Sequence, residues 1–348
     1  MRILLISKKF DYGGSENHLC DLANGLAELG HQVHLLAADG RQRSRLDRRV
    51  QFTPVRFSDA LLPVHLLLLF SLIRDLRIQV IHAHQRLAVR VACMLGRLTG
   101  VPVVATVHGR TRHDLGSRFF RNQLARVIFV SRHVQQRAMR YPELIAKSVY
   151  IPNGMSVNGS VCPTDDRLLY ISRIDHRHGA LLLMLIQVLP ALVQGRPHLT
   201  LEIIGDGRLA KQVRRAGEGL NRALGRQAVI LRGFQPQESP LQGTLLLGVG
   251  RSAMKALALG LPVLSVNHRH LGPLLSLDNY DRLKASNFVD VTAPKPMPET
   301  LLPRLIESLT ILENDGADII ALRRRFIDDF DLTKIVRQTE AVYREIVN

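Results

Sequence analysis

Cysteine is scarce in this chain. Three thiols, Cys20, Cys93 and Cys162, stand far apart in 348 residues, with no CxxC spacing. So sparse and odd a count argues against a disulfide framework or a thiolate zinc site and fits a reducing compartment. Aromatic residues make up only 5%, which leaves little for stacking nucleobases. No helix-turn-helix, zinc or RNA-recognition signature accompanies them, so no nucleic-acid partner is expected. Long apolar runs are lacking too. The stretch from Leu61 to Ile73 is broken by Pro63, His65 and Ser71 and falls short of the roughly 20 residues that a spanning helix needs. No membrane crossing is expected. The opening MRILLIS is too short in its apolar part for a signal peptide and reads as a first strand. The phosphate-binding fingerprints GxGxxG and GxxxxGK(S/T) are absent.

Acidic side chains are in short supply. There are 30 Asp and Glu against 47 Lys and Arg, a net charge of +17. The imbalance sits early: residues 1–150 hold 23 basic and 10 acidic side chains, and the remainder holds 24 and 20. A basic portion beside a near-neutral one points to an anionic partner such as phospholipid headgroups or a lipid diphosphate. A merely solvated Arg-rich surface is the bland alternative.

What is present is an alternation of short apolar strands and amphipathic helices. Arg2–Ser7 reads as a strand. Ser15 to Leu29 reads as a helix with Leu19, Leu22, Ala23, Leu26 and Ala27 on one face, stopped by Gly30. Strands over Gln32–Ala37, Ile78–Ala83, Pro102–Thr106, Val127–Val130 and Ser148–Ile151 follow, with helices over Leu61–Leu76 (read as buried), over Arg86–Leu98 and from Arg132. After a linker-like segment, Met155 to Asp166, the pattern restarts. Strands fall at Leu168–Ile171, Leu199–Ile204, Ala228–Leu231, Thr244–Leu247 and Pro262–Val266, and helices at Gly179–Val193, Leu209–Leu224 and Ser252–Leu259. From about Glu299 the tail reads as helices. The implied class is α/β: two Rossmann-like units in tandem, each with a parallel sheet whose ligands sit at the carboxyl ends of its strands.

Several loops at those ends carry chemistry. Gly13-Gly14 stands between the first strand and first helix, where backbone N–H groups can approach a phosphate. A plain tight turn is the alternative. His108 follows a strand end, placed either to face a ligand or to cap a loop. Ser172 to Gly179 joins a strand end, Arg173, Arg177 and two histidines to a helix start, a plausible diphosphate site or a solvated basic loop. Gly205-Asp206-Gly207 and Arg232-Gly233-Phe234 are strand-end turns. Gly248-Val249-Gly250-Arg251-Ser252 repeats the strand-to-helix placement of the first loop.

Together these pieces resemble the family 4 retaining glycosyltransferases over almost the whole chain. The matching stretches are residues 13–36, 82–109, VIFVSRHV (127–134), IPNG (151–154), LLYISRID (168–175), IIGDG (203–207), RGF (232–234) and GVGRSAMKALALGLPVL (248–264). The resemblance implies a GT-B fold of two facing Rossmann-like domains. An acceptor domain would span 1–157 plus a returning C-terminal helix, 333–348, and a nucleotide-sugar domain would span 167–332. It implies His108 against the transferred sugar, and Arg173 and His178 on the diphosphate. It also implies donor contacts from Gly13, Gly14, Gly207, Arg232, Gly233, Phe234, Gly248, Gly250, Arg251, Ser252 and Lys255. Neither a metal nor another cofactor is implied; the nucleotide-sugar is a substrate.

The chain departs from the family pattern at three places. His178 stands where a lysine is usual. Leu247 and Lys255 replace the two glutamates of an E-x7-E motif, and a lysine cannot accept the hydrogen bonds of a ribose. The stretch between Phe234 and Gly248 is short. The expectation is therefore a working transferase with a divergent donor site, or an inactive copy that serves as a binding partner. Arginines 41, 43, 45, 48 and 49, and then Arg110, Arg112, Arg118, Phe119 and Arg121, suggest contact with an anionic membrane surface and a lipid-linked acceptor. The expected location is cytoplasmic, peripheral at the inner face of the plasma membrane. Asp329-Phe330-Asp331, a DxD string in the helical tail, is read as chance.

Overall fold

A computed structural model describes residues 1–11, 13–58, 62–109, 111–156, 166–236, 239–314 and 319–347. The chain divides into two compact units, Met1–Met155 with Phe330–Asn348, and Ser156–Asp329. Most of the linker-like segment, 157–165, lies outside the described residues, as do Arg110 and Cys162.

The first unit is built on strands β1 (Arg2–Lys9), β2 (Gln32–Ala38), β3 (Gln51–Pro54), β4 (Val80–His84), β5 (Val103–Val107), β6 (Arg126–Phe129) and β7 (Ser148–Tyr150). They form one sheet in the order β3-β2-β1-β4-β5-β6-β7, every pairing parallel. Strand side chains alternate between faces, and both faces are buried. Leu4, Ile6, Ile81 and Ala83 enter one core, and Ile3, Leu5, Val80 and Val104 enter the other. That is why these strands read as unbroken apolar runs.

Helices α2 (Leu62–Asp75), α3 (Arg86–Thr99), α4 (Thr111–Leu115) and α5 (Arg118–Gln123) belong to the first face, where α2, α4 and α5 all pack on α3. A further short helix, α6 (Arg132–Ala138), follows β6. Helix α1 (Gly14–Glu28) and the C-terminal α13 (Leu332–Val347) cover the other face. Gly25 permits their close approach, since a Cβ there would lie 2.6 Å from Val336 Cγ2.

Helix α2 corrects the sequence reading. It is not buried all round: Leu69 and Ile73 enter the core, while Val64, Leu67 and Leu68 are 53%, 75% and 66% exposed. An apolar composition cannot tell which face of a helix has a partner.

The second unit holds β8 (Arg167–Ile171), β9 (Thr200–Ile204), β10 (Val229–Gly233), β11 (Leu245–Gly248), β12 (Val263–Val266) and β13 (Leu271–Leu274). Their order is β10-β9-β8-β11-β12-β13, parallel except for the antiparallel β12–β13 edge. Helices α7 (His176–Gly195), α8 (Ala210–Leu224), α9 (Gly250–Leu259), α10 (Leu277–Lys284), α11 (Pro298–Asn314) and α12 (Ile319–Phe330) complete the unit. Strands β3 and β13 and helix α10 carry too few apolar residues to be read from pattern alone.

The helix expected over Gly179–Val193 is present as α7. Among the described residues it is the one helix long and apolar enough to cross a membrane, with a mean hydropathy of 1.6 over a stretch that is half buried. Its Leu181, Leu182, Leu185, Leu189 and Leu192 lie in the core of this unit, and it packs against α8 and α11. Its hydropathy is that of a core helix.

The DxD string has structural uses. Asp329 pairs with Lys284 at 2.9 Å. Asp331 accepts from the Lys334 backbone N–H at 2.8 Å, capping the start of α13.

Candidate functional site

In the first unit, β4 and β5 pair His82 with Val104 and His84 with Thr106. Alternation then puts His82, His84, Thr106 and, two residues on, His108 on one side of the sheet. His18 reaches the same place from α1. His84 Nδ1 lies 3.2 Å from His108 Nε2, and the His18 ring sits 5.7 Å from that of His84 and 5.2 Å from that of His108. Beneath them His82 is hydrogen-bonded through Nδ1 to Tyr343 Oη at 2.5 Å and through Nε2 to Thr106 Oγ1 at 2.7 Å. Burial pushes the pKa of His82 down to about 3. Burial, then the neighbouring imidazoles, holds His84 well below the ordinary histidine range. His108 is positioned by its own backbone, whose N–H and that of Gly109 donate to Asp114 Oδ2 at 3.1 and 3.0 Å.

The Gly13-Gly14 loop is less open than its sequence suggests. A Cβ at Gly13 would strike the Glu16 carboxylate. Ser15 Oγ and Gln85 Nε2 donate to that carboxylate at 2.6 and 3.1 Å. An acidic group therefore already stands beside the α1 N-terminus, where the dipole favours it. Gln85, directly after His84, is held at φ 72°, an uncommon conformation for a residue with a side chain.

In the second unit, Arg173 lies on the loop after β8. It is exposed and makes no side-chain hydrogen bond or ion pair among the described residues. Asp175 caps α7, accepting from the N–H groups of Arg177 and His178 at 2.9 and 3.1 Å. These amides are thus engaged, and recognition of an anion at this loop falls to side chains. His178 Nδ1 is hydrogen-bonded to Tyr170 Oη at 2.9 Å, and its ring meets that of His268 at 6.0 Å. Burial lowers the His178 pKa, opposed by the nearby Asp175 carboxylate.

Gly205 and Gly207, at φ 148° and 154°, press on this loop: a side chain at either would strike the carbonyl oxygens of Ser172 and Ile174. The Gly207 N–H donates to Asp206 Oδ1 at 2.7 Å, so its contribution here is close backbone packing.

The remaining expected donor contacts diverge. Gly248 ends β11, and Gly250 opens α9, but the Gly250 N–H donates to the Asn287 carbonyl at 2.8 Å. That corrects its expected role as a free amide. Ser252 Oγ turns back to the Val249 carbonyl at 2.9 Å, and Arg251 is half-buried beside it. Lys255 Nζ donates to the Ser239 carbonyl at 2.7 Å. Arg232 pairs with the buried Glu202 at 3.2 Å. Gly233 accepts from the Gly205 N–H at 2.8 Å, and Phe234 is 37% exposed.

Of the basic surface, Arg112, Arg118 and Phe119 are exposed. Arg121 is not, which corrects its expected membrane contact. Its guanidinium is buried, donating to Glu143 Oε1 at 2.7 Å and to the Gly116 carbonyl at 2.6 Å, and it lies over the Tyr141 ring. In the earlier arginine run, Arg41, Arg43, Arg45 and Arg49 pair with Asp11, Asp39, Asp21 and Asp47.

Residues 12–158 match Glycosyltransferase Family 4. Across its full length the chain superposes on a glycosyltransferase from Rickettsia africae, at 17% identity and a TM-score of 0.73, covering 98% of that chain. It also superposes on HepE of Anabaena in complex with UDP, at 18% identity and a TM-score of 0.72, with 99% of this chain and all of that one covered. The first unit is a glycosyltransferase family 4 domain, and the chain has the GT-B fold. A curated relative from Arabidopsis thaliana, one of the subunits of phosphatidylinositol N-acetylglucosaminyltransferase, is 28% identical over 236 residues, 60% of this chain. The chain spans about half the length of that relative, 52%.

Within this GT-B fold, sequence reasoning missed His18, His84, Tyr170 and His268. The signal for His84 was available: in His82-Ala83-His84 two polar side chains two apart in a buried strand must share a face. His268 stands just beyond β12, a strand-end position like that of His108. Tyr170 carried no such signal.

Proposed function

We propose that the protein transfers a sugar from a nucleotide-sugar donor to a saccharide or lipid-linked acceptor in cell-surface polysaccharide or lipopolysaccharide synthesis. On this reading the transfer retains anomeric configuration and uses no metal cofactor. One observation carries it: in a chain with a family 4 domain, the Arg173 guanidinium stands exposed and uncommitted, among the described residues, at the carboxyl end of β8. The second unit holds the donor, with Arg173 on the diphosphate through charge-assisted hydrogen bonds. His178, neutral through burial, gains a proton as the diphosphate approaches, because an adjacent anion favours the imidazolium. His108 is the residue assigned to the transferred sugar. As the bond between the anomeric carbon and the diphosphate oxygen breaks, Arg173 and His178 offset the charge that develops on that oxygen. The same oxygen takes the acceptor hydroxyl proton while the new glycosidic bond forms on the same face.

A lipid-linked acceptor is supported by the exposed Arg112, Arg118 and Phe119, and by Val64, Leu67 and Leu68 on α2. Both α2 and α5 pack on α3. Exposed apolar side chains and arginines on one unit suit the anionic headgroup region at the cytoplasmic face of the plasma membrane. The name of the plant relative, which includes phosphatidylinositol, and the UDP bound to HepE agree with this choice of substrates.

The test is a thermal-shift screen of UDP-, GDP- and ADP-sugars. Stabilisation by one base class is expected, because a ligand that binds only the folded chain raises its stability. No shift with any of them would overturn the reading. That result, with co-purification of another protein, belongs to a second reading, an inactive binding partner. Leu247 and the Lys255–Ser239 bond favour it, since these two positions are where the glutamates of an E-x7-E motif are expected, the second of them as the acceptor for the ribose.

A further inference from the structure

The two histidines of the His82-Ala83-His84 segment are both fully buried but differ in their partners. His82 uses both ring nitrogens, on Tyr343 and Thr106. His84 uses Nδ1 toward His108, and its Nε2 has no hydrogen-bond partner among the described residues. An unsatisfied buried polar atom costs about 1–3 kcal/mol and points to a water or an ion. His18, His84 and His108 each offer one nitrogen, and these atoms all lie within 4.8 Å of one another. Zinc–nitrogen bonds of about 2.0–2.1 Å place the nitrogens of a tetrahedral site roughly 3.3 Å apart. The 3.2 Å contact between His84 and His108 is made through His84 Nδ1, so the unpartnered Nε2 is the nitrogen left for an ion, and rotation of the side chains brings the three ligand nitrogens, now within 4.8 Å of one another, to that spacing.

We propose that His18, His84 and His108 form a three-imidazole site for a divalent transition metal of the zinc type. Three imidazoles without a carboxylate suit zinc, cobalt, nickel or copper rather than magnesium or calcium, which prefer oxygen. Three protein ligands leave a fourth position open for water or another small ligand. His82, packed at 4.4 Å against the His84 ring and fixed by Thr106 and Tyr343, limits how that ring can turn. The site shares His108 with the sugar-transfer reading but does not depend on it. Where the two meet, the ion acts as an inhibitor, because coordination takes up the His108 nitrogen that would otherwise face the sugar.

The experiment uses the full chain, stripped with a chelator and titrated with Co2+. The readout is the ligand-field absorption of four-coordinate cobalt, followed by displacement with Zn2+. One equivalent is expected to bind, with no competition from Mg2+. His18→Asn or His84→Asn weakens binding at least about tenfold, as lesser changes around metal sites already do, and the double variant abolishes it. His178→Ala, in the second unit, leaves it unchanged. Binding undiminished in His18→Asn, or lost in His178→Ala, overturns the site. If circular dichroism shows the His84 variant unfolded, X-ray absorption of the wild-type chain with one equivalent of zinc decides: three imidazoles support the proposal, and fewer overturn it. None of these readouts uses a sugar nucleotide, so they stand or fall separately from the transfer reaction.

Discussion

The Lys255 ammonium donates to the Ser239 carbonyl at 2.7 Å, tying helix α9 to the short segment that follows β10. A carboxylate at this position would meet that carbonyl oxygen with no proton to share. Lys255→Glu is therefore expected to lower stability by about 1–2 kcal/mol and to lower turnover. Denaturant unfolding and a coupled nucleoside-diphosphate assay check both. A rise in turnover would mean that the lysine only replaced a functional glutamate.

Arg173 is exposed and unpaired among the described residues, so its removal should leave the unliganded chain within about 0.5 kcal/mol of wild type. Arg173→Ala should abolish the thermal shift given by the preferred sugar nucleotide. An undiminished shift would remove Arg173 from the diphosphate site.

Arg121 and Arg118 should separate cleanly. Arg121 is buried with Glu143, and breaking a buried pair from one side costs about 3–5 kcal/mol. Arg121→Ala should therefore show a large loss in chemical denaturation. Arg118, with its side chain 76% exposed, and Phe119 should change stability little. Their joint replacement by alanine should reduce sedimentation with vesicles containing anionic lipid. Unchanged sedimentation would argue against the membrane surface.

Acid should destabilise the first unit through its histidines. The pKa of His82 falls to about 3 from the ordinary 6.5 because burial disfavours the imidazolium. A histidine depressed in the folded state contributes stability that is fully present above its unfolded pKa and lost as pH falls toward the folded value. The loss begins near pH 6.5 and deepens by about 1.4 kcal/mol per unit for each such group. His84 shifts in the same direction. Equilibrium unfolding between about pH 4.5 and 8 should show a plateau above neutrality and a decline below it. His82→Gln should flatten part of that decline.

The two parallel sheets were legible in the sequence because strands buried on both faces leave uninterrupted Ile, Leu and Val runs, as in Arg2–Ser7. The positions of Gly14, His108 and Arg173 followed from strand ends. Partnership was not legible. Composition gave no sign that Asp175 would occupy the amides of α7 or that Gly250 would donate to Asn287. It gave no sign that one face of α2 would be open while the similarly apolar α7 joined a core. Most of these depend on residues far away in sequence. Arg121 shows the same limit: its charge suggested a surface, and Glu143, 22 positions on, draws it inside.

Helix α13 adds Ile335, Val336 and Tyr343 to a core whose other members come mainly from the first 151 residues. During synthesis, the early part of the chain therefore waits for its cover until the whole second unit has been translated. A nascent chain halted before Leu332 carries a half-clad sheet, with His82 deprived of the Tyr343 hydroxyl, and is a natural substrate for chaperones.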